Sequence, residues 1–261
     1  MEKRKVLSSF VSVGTFDEVV NKIFDLPISK VSSYVCFANV HMIVEAYRNA
    51  RFSEALNIAD VVAADGIPIS KYISFLEGYP QERVAGPDVM PIILKQAEEY
   101  KKSVFFYGST DTILDQLVTT VNQEFPQLRI AGAYSPPFRA ITPEEDEWIV
   151  DMINNSHPDF VFIALGCPKQ EKWMYEHVGK INACMLGVGQ AFEIYAGTNS
   201  RAPLWMRESG LEWFYRLCRE PKRLWKRYLT TNSYFIFVFI QIYLMEKIFK
   251  VERKIIKQQN A

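Results

Sequence analysis

The residues best suited to chemistry sit in Gly166-Cys167-Pro168-Lys169-Gln170. Gly166 lets a backbone approach closely. The N–H groups that open a following helix face an anion, and the Gln170 amide can both donate and accept. The same residues also suit an ordinary strand–turn–helix joint. A second set is cationic: Lys222, Arg223, Lys226 and Arg227 follow Pro221, with 223, 226 and 227 on one helical face. It fits a phosphate no better than it fits a solvated surface. Asp65-Gly66 and Arg83…Asp88 offer further charges, though Asp-Gly is a common turn and Arg83 can pair with Asp88. No G-x-G-x-x-G follows the first strand, and there is no P-loop, H-E-x-x-H, G-x-S-x-G or D-x-D at a strand end. His41, His157 and His177 are far apart in sequence, and each reads more readily as a surface or core residue than as a ligand.

The elements around these residues alternate. Phe160–Ala164, bounded by Pro158 and Gly166, reads as a strand buried on both faces of a parallel sheet, and Lys169–Ile181 as the helix after it. Strands are also predicted over Lys5–Val13, Val31–Asn39, Asp60–Asp65, Ser103–Tyr107, Leu128–Ala131 and Ala183–Val188. Helices are predicted from Thr15, where Glu18 completes a capping box, from Met42, Glu54, Ile69, Pro87 and Thr110, and from Thr142, where Pro143 occupies the first turn. Strand alternating with helix predicts an α/β fold: a Rossmann-like, mostly parallel sheet with helices on both faces. The loops after Asn39, Asp65, Gly108, Gly132, Gly166 and Gly189 would then gather along one sheet edge, where ligands bind in such folds.

With 261 residues, 49% of them apolar, the chain can hold one large domain with an appendage. Zero formal net charge argues against a nucleic-acid binder that works by bulk charge. The four scattered cysteines read as reduced, mostly buried thiols of a cytosolic protein, and no signal peptide is apparent. Near residue 200 the character changes. Asn199–Pro203 reads as a linker, Gly210–Leu217 as an aromatic-rich helix, and Pro221 as the start of a new basic helix. The apolar core Tyr234–Met245 is shorter than the ~20 residues of a spanning helix. With basic and aromatic flanks it suits the membrane interface; packing against the core or another subunit is the plainer alternative. The division expected is 1–200 and 201–261.

Several blocks carry a resemblance: F-A-N-V-H (37–41), A-D-G-I-P (64–68), E-R-V-A-G-P-D (82–88), G-C-P-K-Q-E (166–171), G-V-G-Q-A-F-E-I-Y-A-G-T (187–198) and R-A-P-L-W-M-R-E-S-G-L-E-W-F-Y-R-L-C-R-E-P-K-R-L-W-K-R-Y-L (201–229). In this order, over nearly the whole chain, they strongly resemble the WecG/TagA/CpsF glycosyltransferases. The resemblance implies a Rossmann-like domain with a C-terminal helical appendage that meets the inner face of the cell membrane and completes the active site. It implies inverting transfer of a hexose-type sugar, such as N-acetylmannosamine, its uronic acid or glucose, from a UDP-sugar to a polyprenyl-diphosphate-linked saccharide. The products are teichoic acid linkers, capsules and other surface polysaccharides. No cofactor and no essential metal are implied; anionic lipid is, and a homo-oligomer stays open.

By motif, Asp65 matches the general base, Asn39 a residue beside the sugar, Arg83 a pocket arginine and Gln170 a substrate contact. Gly108, Gly166 and Glu193 fall at the same edge, while Arg216, Arg223 and Arg227 fall where the appendage closes over the donor diphosphate. Two departures stand out. Phe37 replaces a usual threonine, removing a hydroxyl beside the expected sugar or phosphate, and Gln190–Glu193 replaces G-A-F-D. The chemistry is consistent: a carboxylate takes the acceptor hydroxyl proton, and arginines in place of a D-x-D metal offset the charge on departing UDP. A nucleotide-binding scaffold of a polysaccharide assembly, catalytically weakened, is the alternative, favoured by Phe37. A nicotinamide oxidoreductase lacks its glycine fingerprint.

Overall fold

The computed structural model describes residues 1–259, with side-chain positions through Met245 except at Glu77. Its centre is a six-stranded sheet. The chain first makes a small antiparallel hairpin, β1 (Lys3–Val6) and β2 (Ser9–Ser12). The sheet strands follow: β3 (Ser33–Ala38), β4 (Val61–Ala64), β5 (Ser103–Gly108), β6 (Arg129–Tyr134), β7 (Phe160–Ala164) and β8 (Cys184–Gly187). Their spatial order is β4-β3-β8-β7-β5-β6, and every pairing is parallel. A parallel sheet needs crossovers, and the helices between strands supply them.

Side chains alternate between two cores. Tyr34, Cys36 and Ala38 face one, with Met42, Phe52, Ile153 and Met174 from the helices laid over it. Val35 and Phe37 face the other, with Val20, Met90, Leu117 and Phe192. β3, β4, β5 and β8 are buried at every position, as a strand covered on both faces must be. Each fully buried large apolar side chain contributes roughly 1.5–3 kcal/mol. Helix starts follow the local chemistry: Thr15 and Thr142 both form complete capping boxes, with Glu18 and Glu145.

Two expectations change. The run Lys5–Val13 is not one strand but a hairpin whose turn holds Leu7 at φ 56°. Gly132 does not close a strand; it lies inside β6, which runs on to Tyr134. A Cβ there would stand 2.6 Å from the Phe105 ring, so the glycine makes room for packing.

Beyond residue 200 come two short helices, Leu204–Glu208 and Glu212–Arg219, and then one long helix from Pro221 to Gln259. The segment 199–203 is no free linker, because Arg201 is ion-paired and Ala202 is buried. The long helix lies along the helix Val40–Arg48. Arg48 donates to the Thr230 carbonyl at 3.3 Å and stacks over the Tyr234 ring, while Tyr72 meets the rings of Phe235 and Phe239. The apolar stretch is also longer than the sequence predicts. The helix continues unbroken through Thr230–Ser233, and Pro221–Met245 is long and apolar enough to cross a membrane.

Candidate active site

The carboxyl ends of the strands set out the site. Asp65 follows β4 directly, and its backbone N–H donates to Ala38 at the end of β3, 2.9 Å away. Gly66, at φ 117°, turns the chain at once into the helix Ile67–Tyr72. The Asp65 side chain is partly buried, and among the described residues no donor lies within hydrogen-bond distance of it. Burial raises its carboxyl to about 6; Arg83 and Arg216 pull it down, while Glu212 and Asp88 push it up. At neutral pH this is an ionised carboxylate basic enough to accept a proton, with no partner to release first.

Beside it lies a network of charges. Arg83 donates to Asp88 and to Glu212, each at 2.8 Å. Arg201 grips Asp88 with two bonds of 2.6 and 2.7 Å, and Arg207 stands 3.5 Å from the same carboxylate. Burial works against the Asp88 charge, but Arg201 and Arg83 outweigh it and hold the carboxyl below its usual range. Three guanidiniums thus share two carboxylates. Asp88 and Arg83 come from the sheet region, and Arg201, Arg207 and Glu212 from the tail. The network ties the two together, helped by Gly210, where an added Cβ would stand 3.1 Å from Ile67.

The three tail arginines assigned to the donor converge. Arg216 lies on the helix Glu212–Arg219, and Arg223 and Arg227 one turn apart on the next. All three charges act on the Tyr228 phenol, which burial pushes up. Arg223 pairs with Glu220 and is otherwise exposed. The Nε atoms of Arg216 and Arg227 are buried without a hydrogen-bond partner, and burial weighs against the Arg227 charge. Unused donors of this kind are what an anion would satisfy. Arg216 also lines a cavity with Arg219, Tyr215, Asn199 and Gln190. His41 is lowered to about 4 by burial and by Arg227, so it is neutral beside that arginine. Among the described residues, no group of three or more His, Cys, Asp and Glu side chains is placed to hold a metal ion.

Other expected residues also hold the edge together. Asn39 caps the helix Val40–Arg48, its Oδ1 accepting from Met42 N–H at 3.1 Å, which leaves its amide NH2 to donate. Gln170 is 4% exposed. Its Oε1 accepts from Gly166 N–H, and its Nε2 donates to the Gly187 carbonyl and to Glu171. It clamps the loops after β7 and β8 and has little amide left for a substrate. Gly166, at φ 78°, would meet nothing with a Cβ and is needed for its turn. At Gly108 a Cβ would lie 2.6 Å from the Ala164 backbone, so this glycine lets two strand ends close together. Glu193 accepts from the Asn199 amide at 3.0 Å and fastens the chain entering the tail.

Phe37 differs most from expectation. It is 3% exposed, its ring set in the core near Gly86, and so no hydroxyl is missing from the open edge. Conversely, Arg201, Arg207, Glu212 and Glu171 carry no local pattern that marks them as site residues. The available signal was the block R-A-P-L-W-M-R-E, whose two arginines are both used. Glu171 is fully buried, and burial raises its carboxyl to about 7 despite bonds from Gln170 and the Cys167 thiol.

A family model described as "Glycosyl transferase WecG/TagA/CpsF family" matches residues 4–248. The chain is 36% identical over 205 residues, 77% of each chain, to a protein of Bacillus spizizenii named N-acetylglucosaminyldiphosphoundecaprenol N-acetyl-beta-D-mannosaminyltransferase. Relatives of the same name are 32% identical in Bacillus subtilis, over 78% of each chain, and 30% identical in Staphylococcus aureus, over 86% of this chain and 82% of that one.

Proposed function

The chain belongs to the WecG/TagA/CpsF family of glycosyl transferases, and from that premise we propose that it moves an N-acetylmannosaminyl group from UDP to a GlcNAc-diphosphopolyprenol. The supporting observation is the pairing of a free, partly buried Asp65 carboxylate with arginines from both the sheet region and the tail.

Asp65 takes the proton of the acceptor hydroxyl as its oxygen attacks the anomeric carbon. The bond from that carbon to the UDP oxygen breaks on the opposite side, so configuration inverts. Charge grows on the departing diphosphate, where Arg216 and Arg227 bring unpartnered N–H groups and Arg223 adds its charge. Cations supplied by the protein make a metal unnecessary on this reading. Burial raises the Asp65 carboxyl; Arg83 tempers that rise and, through Glu212, ties the tail beside it. Asn39 offers its amide to the sugar; Gly166 and Gln170 keep the loop beside it in shape. The tail, residues 201 onward, acts as an appendage that docks on anionic lipid at the inner face of the membrane. Aromatics exposed at Trp205, Trp225 and Phe237 suit the interface.

The scaffold alternative leaned on Phe37, and with that ring in the core no observation favours it. A panel of UDP-sugars, assayed for UDP release with a short-chain GlcNAc-diphospholipid, tests the proposal. Release is expected with UDP-N-acetylmannosamine, dependent on the acceptor. Release with another sugar alone would correct the donor, and acceptor-independent release would overturn the transfer.

A further inference from the structure

A separate apolar groove runs beside the site. Pro68, Tyr72 and Phe75 form one wall, and Phe235, Ile236 and Phe239 of the long helix form the other, around a cavity of about 290 Å³. Phe75 and Ile236 are 63% and 56% exposed, so the groove is open to entering molecules. The first wall belongs to the helix Ile67–Tyr72 and the turn after it, which begin two residues past Asp65. The remaining lining residue is Lys71, exposed, one helical turn beyond Ile67. Ile236, Ile240 and Leu244 recur every four residues and are exposed, so an apolar stripe continues from the groove along the helix.

We infer that this groove is the seat of the acceptor's polyisoprenoid chain, with Lys71 beside its diphosphate. The inference rests on the proposed acceptor class and adds where its lipid lies. An extended peptide laid here would bring N–H and C=O groups that an apolar lining cannot satisfy; a polyisoprene brings none. The order along the chain also fits the acceptor's chemistry. The hydroxyl belongs at Asp65, the diphosphate follows at the cation, and the hydrocarbon runs along the aromatic walls toward the stripe. The cavity holds a short length of chain, and the exposed stripe carries the rest outward.

The test uses the full chain in detergent micelles, with acceptors that share one saccharide diphosphate but carry an undecaprenyl chain or only a methyl group in its place. Phe75→Asp with Ile236→Asp places charge in the groove at two exposed positions. It should raise KM for the long acceptor about tenfold, leaving kcat for both acceptors and KM for the short one within about twofold. A companion variant, Phe237→Asp, changes an exposed aromatic outside the groove. It should weaken sedimentation with vesicles and leave the chain-length preference intact. Equal effects of the groove variant on both acceptors, or none on either, overturn the assignment, as does the same loss of preference with Phe237→Asp. A second readout needs no turnover: an undecaprenyl diphosphate carrying a diazirine on its hydrocarbon, without saccharide, should label peptides containing Phe75 or Ile236. Labelling in a protein that transfers no sugar upholds the groove and overturns the transfer reading. Transfer to the long acceptor without labelling there overturns the groove alone.

Discussion

The sheet and the tail solve opposite problems. β3, β5 and β8 bury every residue, and the packing on their two faces closes without help from outside. The tail keeps Trp205, Trp213, Phe214, Trp225 and Phe237 at 39–60% exposure, and only 11% of its apolar window is buried in the protein. Exposed aromatics gathered in one region mark a surface that meets another apolar body; on the proposed reading that body is the membrane. Asp65 is placed by the sheet, and the cations around it come from both parts, Arg83 from the sheet region and Arg216 from the tail. On the proposed reading, fold and chemistry are divided along the chain: the first part would hold the base, and the second would add charge to it.

Cutting the chain after Gly197 breaks the comparison most severely. The truncated protein should stay folded, with a cooperative melt, yet stop binding anionic liposomes and lose transfer even to a water-soluble acceptor, by roughly 10³-fold. Full-rate transfer to that acceptor would reduce the tail to an anchor, and continued sedimentation with liposomes would move the membrane site elsewhere.

Asp65→Asn asks whether the sheet's share is the proton acceptor. Turnover should fall by ~10²-fold or more while UDP binding, followed by calorimetry, is nearly unchanged. Stability should move the other way. A carboxyl raised to about 6 contributes stability below its unfolded value near 4, and that contribution is lost as pH rises through 6. The Asn variant should therefore match the wild type near pH 4 and exceed it at pH 8 by about 1 kcal/mol, allowing for partial solvent contact. Near wild-type turnover in this variant would remove Asp65 as the base.

A smaller effect comes from acid. With Asp65 raised to about 6, the ionised fraction and the initial rate should fall about tenfold between pH 7 and pH 5. A flat profile over that range would place the rate-limiting proton elsewhere. The smallest expected effect is none: dialysis against EDTA should leave turnover unchanged. Loss restored by magnesium or manganese would transfer the arginines' role to a metal.

Much of this was legible. Apolar runs ended by small or polar residues located the sheet edge, and both Thr-x-x-Glu boxes marked their helices. What escaped has physical causes. The turn after Val6 uses Leu7 in a conformation its side chain does not advertise. Thr230 and Thr231 looked like an interruption, but their hydroxyls return to carbonyls four residues back, at 2.9 and 2.8 Å, and the helix passes through. The Gln170 amide could equally have faced a ligand; only the positions of Gly166 and Gly187 show which way it is used. Asp65 as a candidate base comes from the family blocks alone, since Asp-Gly by itself describes a turn. The Asp88 network joins residues more than a hundred positions apart, and no local pattern announces it.

The Arg83–Glu212 bond has a thermodynamic reach of its own. It makes the placement of the tail one variable shared by two binding events. If a bilayer settles the tail over the sheet edge and a donor diphosphate does the same, each ligand prepares the protein for the other. Linkage then requires equal factors: whatever gain in donor affinity vesicles confer, the donor must return as a gain in vesicle affinity. An enzyme coupled in this way would hold its nucleotide sugar weakly in bulk water and tightly at the surface where the acceptor lipid resides.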